Sequence, residues 1–202
     1  MSPGPTFDRV YLALKEQLTS GRFAPGDHLE PAALGEQLNA SITPVRDALH
    51  RLVGERIVEA PRNDGFRVPA PLEAELRELY RWNCQLLELA IRSGGRGGGA
   101  TEAGAAQADP PDAADLFRRI SRMAGNSELE AAIENLNDRL AGLRVSEAQV
   151  VEDIDEELAA IWRALETHDL AALRRRVAAY HRRRRRCVPE ILASARRRRE
   201  PQ

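Results

Sequence analysis

The sequence has little cysteine, and its two cysteines lie far apart. Cys84 and Cys187 are the only ones among 202 residues, which argues against a disulfide framework or a cysteine-rich zinc site. The chain also lacks a convergent set of acid, base and nucleophile. We therefore predict no catalytic residues, no cofactor and no enzyme activity.

Aromatic residues are scarce too, at 4% of the chain, whereas alanine and leucine are abundant. This composition favours cores built from helices packed on helices. The sequence contains no run of about 18 apolar residues, and its start, MSPGPTFDRV, lacks the basic and then apolar pattern of a secretory signal. We expect a mainly α, cytoplasmic protein without a membrane partner.

The charge is close to balanced, at −1, but its distribution is uneven. Lys15 is the only lysine, and arginines bunch at residues 174–176, 182–186 and 196–199. A neutral total does not argue against nucleic acid, because binding depends on the local field. Five consecutive arginines span about 500° of a helix, so we expect residues 182–186 to project into solvent or to meet an anionic partner. DNA phosphates are the alternative to plain solvation.

The first 70 residues predict three helices. The first covers residues 7–18, Pro31 opens the second, and Thr43 caps a third that has Pro44 at its first position. The third helix has an apolar stripe formed by Val45, Leu49, Leu52 and Val53, with Arg46 pointing away from it.

Two short strand candidates follow, RIVEA and FRVPA. They are joined by PRNDG, in which Asn63, Asp64 and Gly65 tolerate the positive φ angles of a tight hairpin. Helices followed by a β-hairpin make a winged helix-turn-helix. Its third helix, carrying Arg46, can enter a DNA major groove of about 12 Å. The alternative is a small α/β scaffold whose arginine is merely solvated.

Several separated motifs in this region resemble the N-terminal domain of GntR-type bacterial transcription regulators: G.F.PGDHL from Gly21, L.EQL from Leu34, SITPVRDALHRL from Ser41 and GFRV from Gly65. The resemblance covers about Val10 to Val68. It implies that a dimer binds a palindromic double-stranded DNA operator.

The resemblance also implies which residues contact DNA. Arg46 would be the main cationic contact, and Gly65 would let the wing approach a groove. The chain departs from many family members at Ile42, where arginine is common. Isoleucine can contact a thymine methyl group but, unlike arginine, cannot donate two hydrogen bonds to guanine. The predicted DNA contacts are Ser41, Ile42, Thr43, Arg46, Arg62 and Gly65.

Residues 71–202 predict a second, helical domain after the DNA-binding domain of residues 1–70. A long amphipathic helix from Leu72 stops at residues 93–113, whose glycine and alanine content indicates a flexible loop. Later helices are predicted to start at Ser127 with Glu130 and at Ser146 with Gln149, both read as capping boxes. Asp169 is predicted to cap a last long helix.

The motifs LYRWNCQLLELAI, FRRISRMAGNSEL and ALETHDLAALRRRVAAYH resemble a reduced version of the helical effector domain of the FadR branch, called FCD. Family members commonly bind a metal through one aspartate and three histidines. Those four positions are Ala114, Arg118, Leu158 and Tyr180 here, and Asp115 and His181 are each one residue away. Because one residue turns a side chain by about 100°, we predict no metal site. We read Asp115 as a solvated charge and His181 as a surface histidine.

Arg118 carries a second possibility. It could replace the charge of the missing metal and hold a carboxylate effector through its guanidinium group, or it could form a surface salt bridge. The sequence thus predicts a homodimeric, ligand-responsive repressor with a small organic acid as its effector. The alternative is a ligand-independent DNA- or RNA-binding dimer whose helical half only dimerises.

Overall fold

The structure, a computed structural model, describes residues 5–94 and 112–199. Helices and two short strands follow one another in these residues: α1 Pro5–Thr19, β1 His28–Leu29, α2 Pro31–Leu38, α3 Ile42–Gly54, β2 Phe66–Arg67, α4 Glu73–Gly94, α5 Ala113–Arg122, α6 Ser127–Glu147, α7 Ile154–Glu166, α8 Leu170–Arg186 and α9 Val188–Arg197. The mainly α fold class is confirmed. Within the described ranges, no helix is long and apolar enough to cross a membrane.

The described residues form two compact units. The first contains residues 5–71 together with residues 138–146 and 192–199. The second contains residues 72–94, 112–137 and 147–191. Helices α6 and α9 therefore each contribute residues to both units. Most of the segment predicted as a flexible loop, residues 95–111 of 93–113, lies outside the described residues.

The first unit has its core between α1 and α3. Apolar residues at helical spacing on α1 meet the apolar stripe of α3, and the core contains Val10, Tyr11, Leu14, Leu18, Leu29, Leu34, Val45, Leu49, Leu52 and Phe66. This pattern of burial follows the predicted helical periodicity. Val53, predicted in the stripe, is only partly buried.

The wing is a small sheet of two-residue strands. β2 pairs antiparallel with β1, with Leu29 opposite Phe66. The predicted first strand contributes only one bridge, in which Glu59 and Arg67 exchange backbone hydrogen bonds of 2.8 and 2.9 Å. The predicted hairpin is present, but β1 supplies its main partner strand.

The second unit is a helical bundle in which α4 packs against α5 and α8. Asp169 caps α8 as predicted, accepting a hydrogen bond from the Ala172 N–H at 2.8 Å. Two other predicted starts were wrong in detail. Asn126 accepts from the Leu129 N–H at 3.0 Å and so caps α6 instead of Ser127. Ser146 lies inside α6, and the next helix, α7, begins only at Ile154.

Candidate nucleic-acid interface

The turn between α2 and α3 is fixed by backbone hydrogen bonds and by an arginine of α1. Asn39 ends α2 with a φ of 48°, and the Ala40 N–H donates to the Gly35 carbonyl at 2.9 Å. Arg9 Nη1 donates to the Leu38 carbonyl at 2.9 Å, which satisfies an acceptor that the helix end leaves open. These bonds hold the start of α3 against the end of α2.

Gly35 leaves no room for a side chain in this turn. A Cβ there would lie 2.8 Å from the Ala40 carbonyl oxygen. We expect Gly35→Ala to lower the free energy of unfolding by about 1–2 kcal/mol, because backbone must shift to relieve the overlap. Gly54→Ala is the matched control. A Cβ at Gly54 meets nothing within 4 Å, so alanine should stabilise the helix by about 0.5–1 kcal/mol. Urea denaturation measures both, and equal effects would contradict the prediction.

Helix α3 presents its first turns to solvent. Its N-cap is Ser41 and not Thr43 as predicted, because the helix already begins at Ile42. Ser41, Ile42 and Thr43 are exposed, as is Arg46 one turn further on. The opposite side is fully buried and consists of Val45, Ala48, Leu49 and Leu52. Four of the predicted DNA contacts thus share one end of one helix, where Arg46 makes no ion pair with a described residue.

The tip of the wing holds the other two predicted contacts. Arg62 and Gly65 are exposed, and so are Asn63 and Asp64 between them. Of the three residues predicted to tolerate positive φ angles, Asn63 and Gly65 adopt them, at 63° and 65°, and Asp64 does not. At the base of the wing, Arg67 Nε lies 3.1 Å from the Glu59 carboxylate. That ion pair stabilises the base of the wing. The Arg62 side chain makes no ion pair with a described residue.

Gly65 is needed for its backbone and not for space, since a Cβ there meets nothing within 4 Å. We expect Gly65→Val to weaken DNA binding several-fold, because a β-branched residue at positive φ costs about 1–2 kcal/mol and distorts the tip. Gly65→Asn should bind like the parent, since asparagine adopts this conformation readily. Fluorescence anisotropy with labelled DNA compares the three. Weak binding by the asparagine variant as well would point to a contact that needs glycine itself.

A polar network at the far end of α3 was not predicted. Glu55, just after the helix, accepts a hydrogen bond from Tyr11 Oη at 2.8 Å and lies 3.5 Å from Lys15 Nζ. Lys15 Nζ is also 2.6 Å from Asp138 of α6. Burial alone would lower the pKa of Lys15, but the bond and charge of Asp138 raise it above its ordinary value. Lys15 therefore stays charged and joins α1 to α3 and α6.

Residues 6–68 of the chain match the family model described as bacterial regulatory proteins, gntR family. Over this range, the chain is similar to the gntR family. The matched range contains α1, α2, α3, the wing and all six predicted DNA contacts.

Curated relatives are similar to this chain over a comparable stretch. The HTH-type transcriptional repressor GlaR of Escherichia coli K12 is 33% identical over 89 residues, which are 42% of this chain and 40% of GlaR. The HTH-type transcriptional regulator McbR of the same organism is 40% identical over 78 residues, 39% of this chain and 35% of McbR. The matches thus span two fifths or less of these relatives.

Solved structures are similar over nearly the whole length. The E. coli McbR/YncC structure has a TM-score of 0.68 at 21% identity, covering 92% of this chain and 98% of that one. A putative transcriptional regulator GntR from Rhodococcus sp. RHA1 has a TM-score of 0.73 at 16% identity, with the same coverage. At these identities the likeness concerns the fold alone, a winged helix-turn-helix followed by a helical unit.

In the helical unit, Arg118 forms ion pairs with two carboxylates. Its Nε donates to Glu134 at 2.9 Å, and its Nη1 donates to Asp115 at 2.5 Å. The Arg118 side chain is 37% exposed. Asp115 is thus part of an ion pair rather than simply solvated. An incoming carboxylate would have to compete with both partners for Arg118.

His181 is buried, contrary to the prediction of a surface histidine. It is 1% exposed, and its Nδ1 donates to the Val177 carbonyl at 2.8 Å. Its ring stacks on Phe117, with centroids 5.5 Å apart. Phe117 belongs to α5, so the sequence of α8 alone does not reveal this neighbour. Among described residues no group of three or more histidine, cysteine, aspartate or glutamate side chains could hold a metal.

The arginine run was also predicted wrongly in one respect. Arg184 is fully buried, although the run was expected to project into solvent or to meet an anionic partner outside the core. Its Nε donates to Glu147 at 2.8 Å and its Nη1 to Glu157 at 2.5 Å. Tyr80 Oη donates to the other Glu147 oxygen at 2.6 Å. The anionic partner is therefore supplied by the chain itself.

Proposed function

We propose that the chain is a DNA-binding transcription regulator that acts as a dimer on a two-fold operator. The observation that carries this proposal is the exposure of the first turns of α3. Arg46 is exposed there and makes no ion pair with a described residue, so its side chain is available to bind DNA. The match of residues 6–68 to the gntR family supports it. Repression is the more specific expectation, supported by the similarity to GlaR.

The proposed contacts divide by chemistry. Arg46 can donate two hydrogen bonds to the N7 and O6 atoms of guanine, and Ile42 can cover a thymine methyl group. Ser41 and Thr43 lie at the N-terminus of α3, whose unpaired amides and hydroxyl groups suit a phosphate. Arg62 and Gly65 would bring the wing to the neighbouring minor groove or backbone.

Selection of genomic DNA tests the proposal. Purified full-length protein is mixed with sheared DNA of its own genome, and retained fragments are sequenced. We expect enrichment of a short palindromic sequence, bound at least about a thousandfold more tightly than a shuffled fragment at the same salt concentration. Retention without sequence preference, or no retention, would contradict a sequence-specific regulator.

The second candidate is a DNA-binding dimer that needs no effector. It is favoured by the pairing of the half-buried Arg118 and the fully buried Arg184 with carboxylates of the same chain. A reduced FCD-like domain with a small organic acid as effector is the rival. Thermal unfolding with a library of small carboxylic acids distinguishes the two. An acid that raises the unfolding midpoint supports an effector, and a midpoint that no acid changes supports the second candidate.

A further inference from the structure

Two arginines of the first unit lie near each other, one just after α3 and one on α6. Lys15 Nζ lies 3.5 Å from the carboxylate of Glu55 and 2.6 Å from that of Asp138. Arg56 follows Glu55 in the chain, and Arg139 follows Asp138. The shared contact with Lys15 therefore brings the two stretches of backbone that carry these arginines side by side. We call Arg56 and Arg139 the arginine pair.

The arginine pair has no counter-ion among the described residues. The carboxylates next to it in the chain already bind other cations. Glu55 lies 3.5 Å from Lys15 and 3.3 Å from Arg51, and Asp138 binds Lys15. Lys15, Arg51 and the arginine pair give four positive charges, whereas Glu55 and Asp138 give two negative ones. The cluster thus has a surplus of two positive charges.

Arg139 is the less exposed member of the arginine pair, being partly buried. Burial and, after it, the positive charge of Arg56 lower the pKa of Arg139 below its ordinary value. For Arg118 burial acts in the same direction, but its carboxylate partners outweigh burial and raise the pKa. A guanidinium group remains charged in spite of such a shift. Repulsion within the arginine pair therefore persists until an anion relieves it.

The backbone fixes the position of Arg56. Its φ is 59°, which few residues other than glycine adopt, and its N–H donates to the Val53 carbonyl at 3.0 Å. Conformations of this kind concentrate at ligand-binding sites. Arg139 projects from the regular helix α6. Both guanidinium groups thus start from ordered backbone, as a preformed binding site requires.

The donors and the charge surplus of the cluster indicate which ligand fits. A guanidinium group has five N–H donors and no acceptor, and its planar fork matches the oxygens of a phosphate or carboxylate group. A terminal phosphate group has about −1.5 to −2 charges at pH 7 and three acceptor oxygens. It therefore matches the surplus of two, whereas one carboxylate supplies only half of that charge. We propose that the arginine pair binds the terminal phosphate group of a small molecule.

The phosphates of DNA have the same chemistry but fit this site less well. Each is a diester with a single negative charge. Helix α3 has 13 residues, about 20 Å, and the proposed DNA contacts lie on its first turns, at the end away from Arg56. The inference goes beyond the proposed function. Only its regulatory consequence, that the ligand stabilises the support of α3, rests on that function.

Thermal unfolding of the full chain without DNA tests the site, with inorganic phosphate as the probe. The midpoint is measured in about 20 mM phosphate and in chloride of equal ionic strength. For a dissociation constant of about 1 mM, phosphate should raise the midpoint by about 3–6 °C more than chloride does. Arg56→Gln and Arg139→Gln should each abolish this difference. Arg175→Gln, at an exposed arginine of α8 that makes no ion pair with a described residue, is the matched control and should keep it.

Arg56→Glu gives a result that two independently solvated arginines would not give. Its carboxylate would lie beside Arg139 and take the place of the ligand. In chloride its midpoint should be about 1–3 °C above that of Arg56→Gln, because one variant gains an ion pair and the other does not. Phosphate should then add nothing. A midpoint of each variant in chloride close to that of the parent shows that the variant is folded.

Several results would overturn the inference. These are a parent that phosphate stabilises no more than chloride, a phosphate effect that both glutamine variants retain, or an Arg56→Glu variant no more stable than Arg56→Gln. If each glutamine variant also lowers the salt slope of DNA binding by about one, the phosphate belongs to DNA and the small-molecule site is wrong. Failure of the proposed function looks different: a protein that binds phosphate through the arginine pair but selects no DNA sequence keeps this inference and loses that function.

Discussion

Replacing Arg184 with methionine is expected to lower the free energy of unfolding by about 3–5 kcal/mol. Arg184 is the buried cation between Glu147, itself 2% exposed, and Glu157. Its guanidinium carbon also lies 3.3 Å from the centre of the Tyr180 ring. Removing it leaves two carboxylates that no longer have a cation nearby, and an uncompensated buried charge is among the costliest defects in a core.

The arginine run supplies its own control for this prediction. Arg182 and Arg186 lie within two residues of Arg184 but are exposed, so methionine at either should change stability by no more than about 0.5 kcal/mol. A triple variant with Arg184→Met, Glu147→Gln and Glu157→Gln should recover part of the loss, because it removes the orphaned charges. Urea denaturation monitored by circular dichroism compares the four variants with the parent. A loss at Arg184 no larger than that at Arg186 would contradict the buried ion pairs.

The local part of the fold could be predicted from the sequence. Three of the sequence signals depend only on residues close together in the chain. They are proline at helix starts, apolar stripes at helical spacing and Asn-Asp-Gly in the wing. They predicted α1, α2, α3 and the hairpin, and the exposed position of Arg46. They also predicted Asp169 as a cap, because that hydrogen bond spans only three residues.

The features that were missed depend on residues far apart in the chain. Arg184 is buried because Glu147 and Glu157 come from other helices, and His181 is buried because Phe117 of α5 stacks on it. Likewise β2 takes its main partner from β1, before α2. Helix period says which side of a helix is apolar, but it does not say whether a polar residue on that side will find a partner.

The proposed DNA-binding surface was predicted in part. The sequence places Ser41, Ile42, Thr43 and Arg46 on the first turns of α3, and the structure has them exposed together. It does not reveal how the helix is held in place. Arg9 at one end and the network of Tyr11, Lys15 and Glu55 at the other both involve residues at least 29 positions away. Those supports make α3 a rigid element, which a sequence-reading helix needs.

Arg46→Ala is expected to weaken binding to the selected operator by about 1–3 kcal/mol, or about 5- to 150-fold. This is the loss expected when an arginine that donates two hydrogen bonds to one guanine is removed. The fold should survive, because Arg46 is exposed and the stripe formed by Val45, Ala48 and Leu49 behind it is untouched. Arg186→Ala removes one exposed charge from the helical unit and is the control for a general loss of positive charge.

Arg46→Lys separates base recognition from attraction to the backbone. Lysine keeps the charge but lacks the planar fork, so it should retain binding to a shuffled fragment while losing most of the preference for the operator. Fluorescence anisotropy at several salt concentrations compares the parent, the two Arg46 variants and the Arg186 control on both DNAs. If Arg46 contacts only phosphate, the alanine variant weakens both DNAs alike and lowers the salt slope by about one. If none of the variants differs from the parent on either DNA, α3 is not the reading helix.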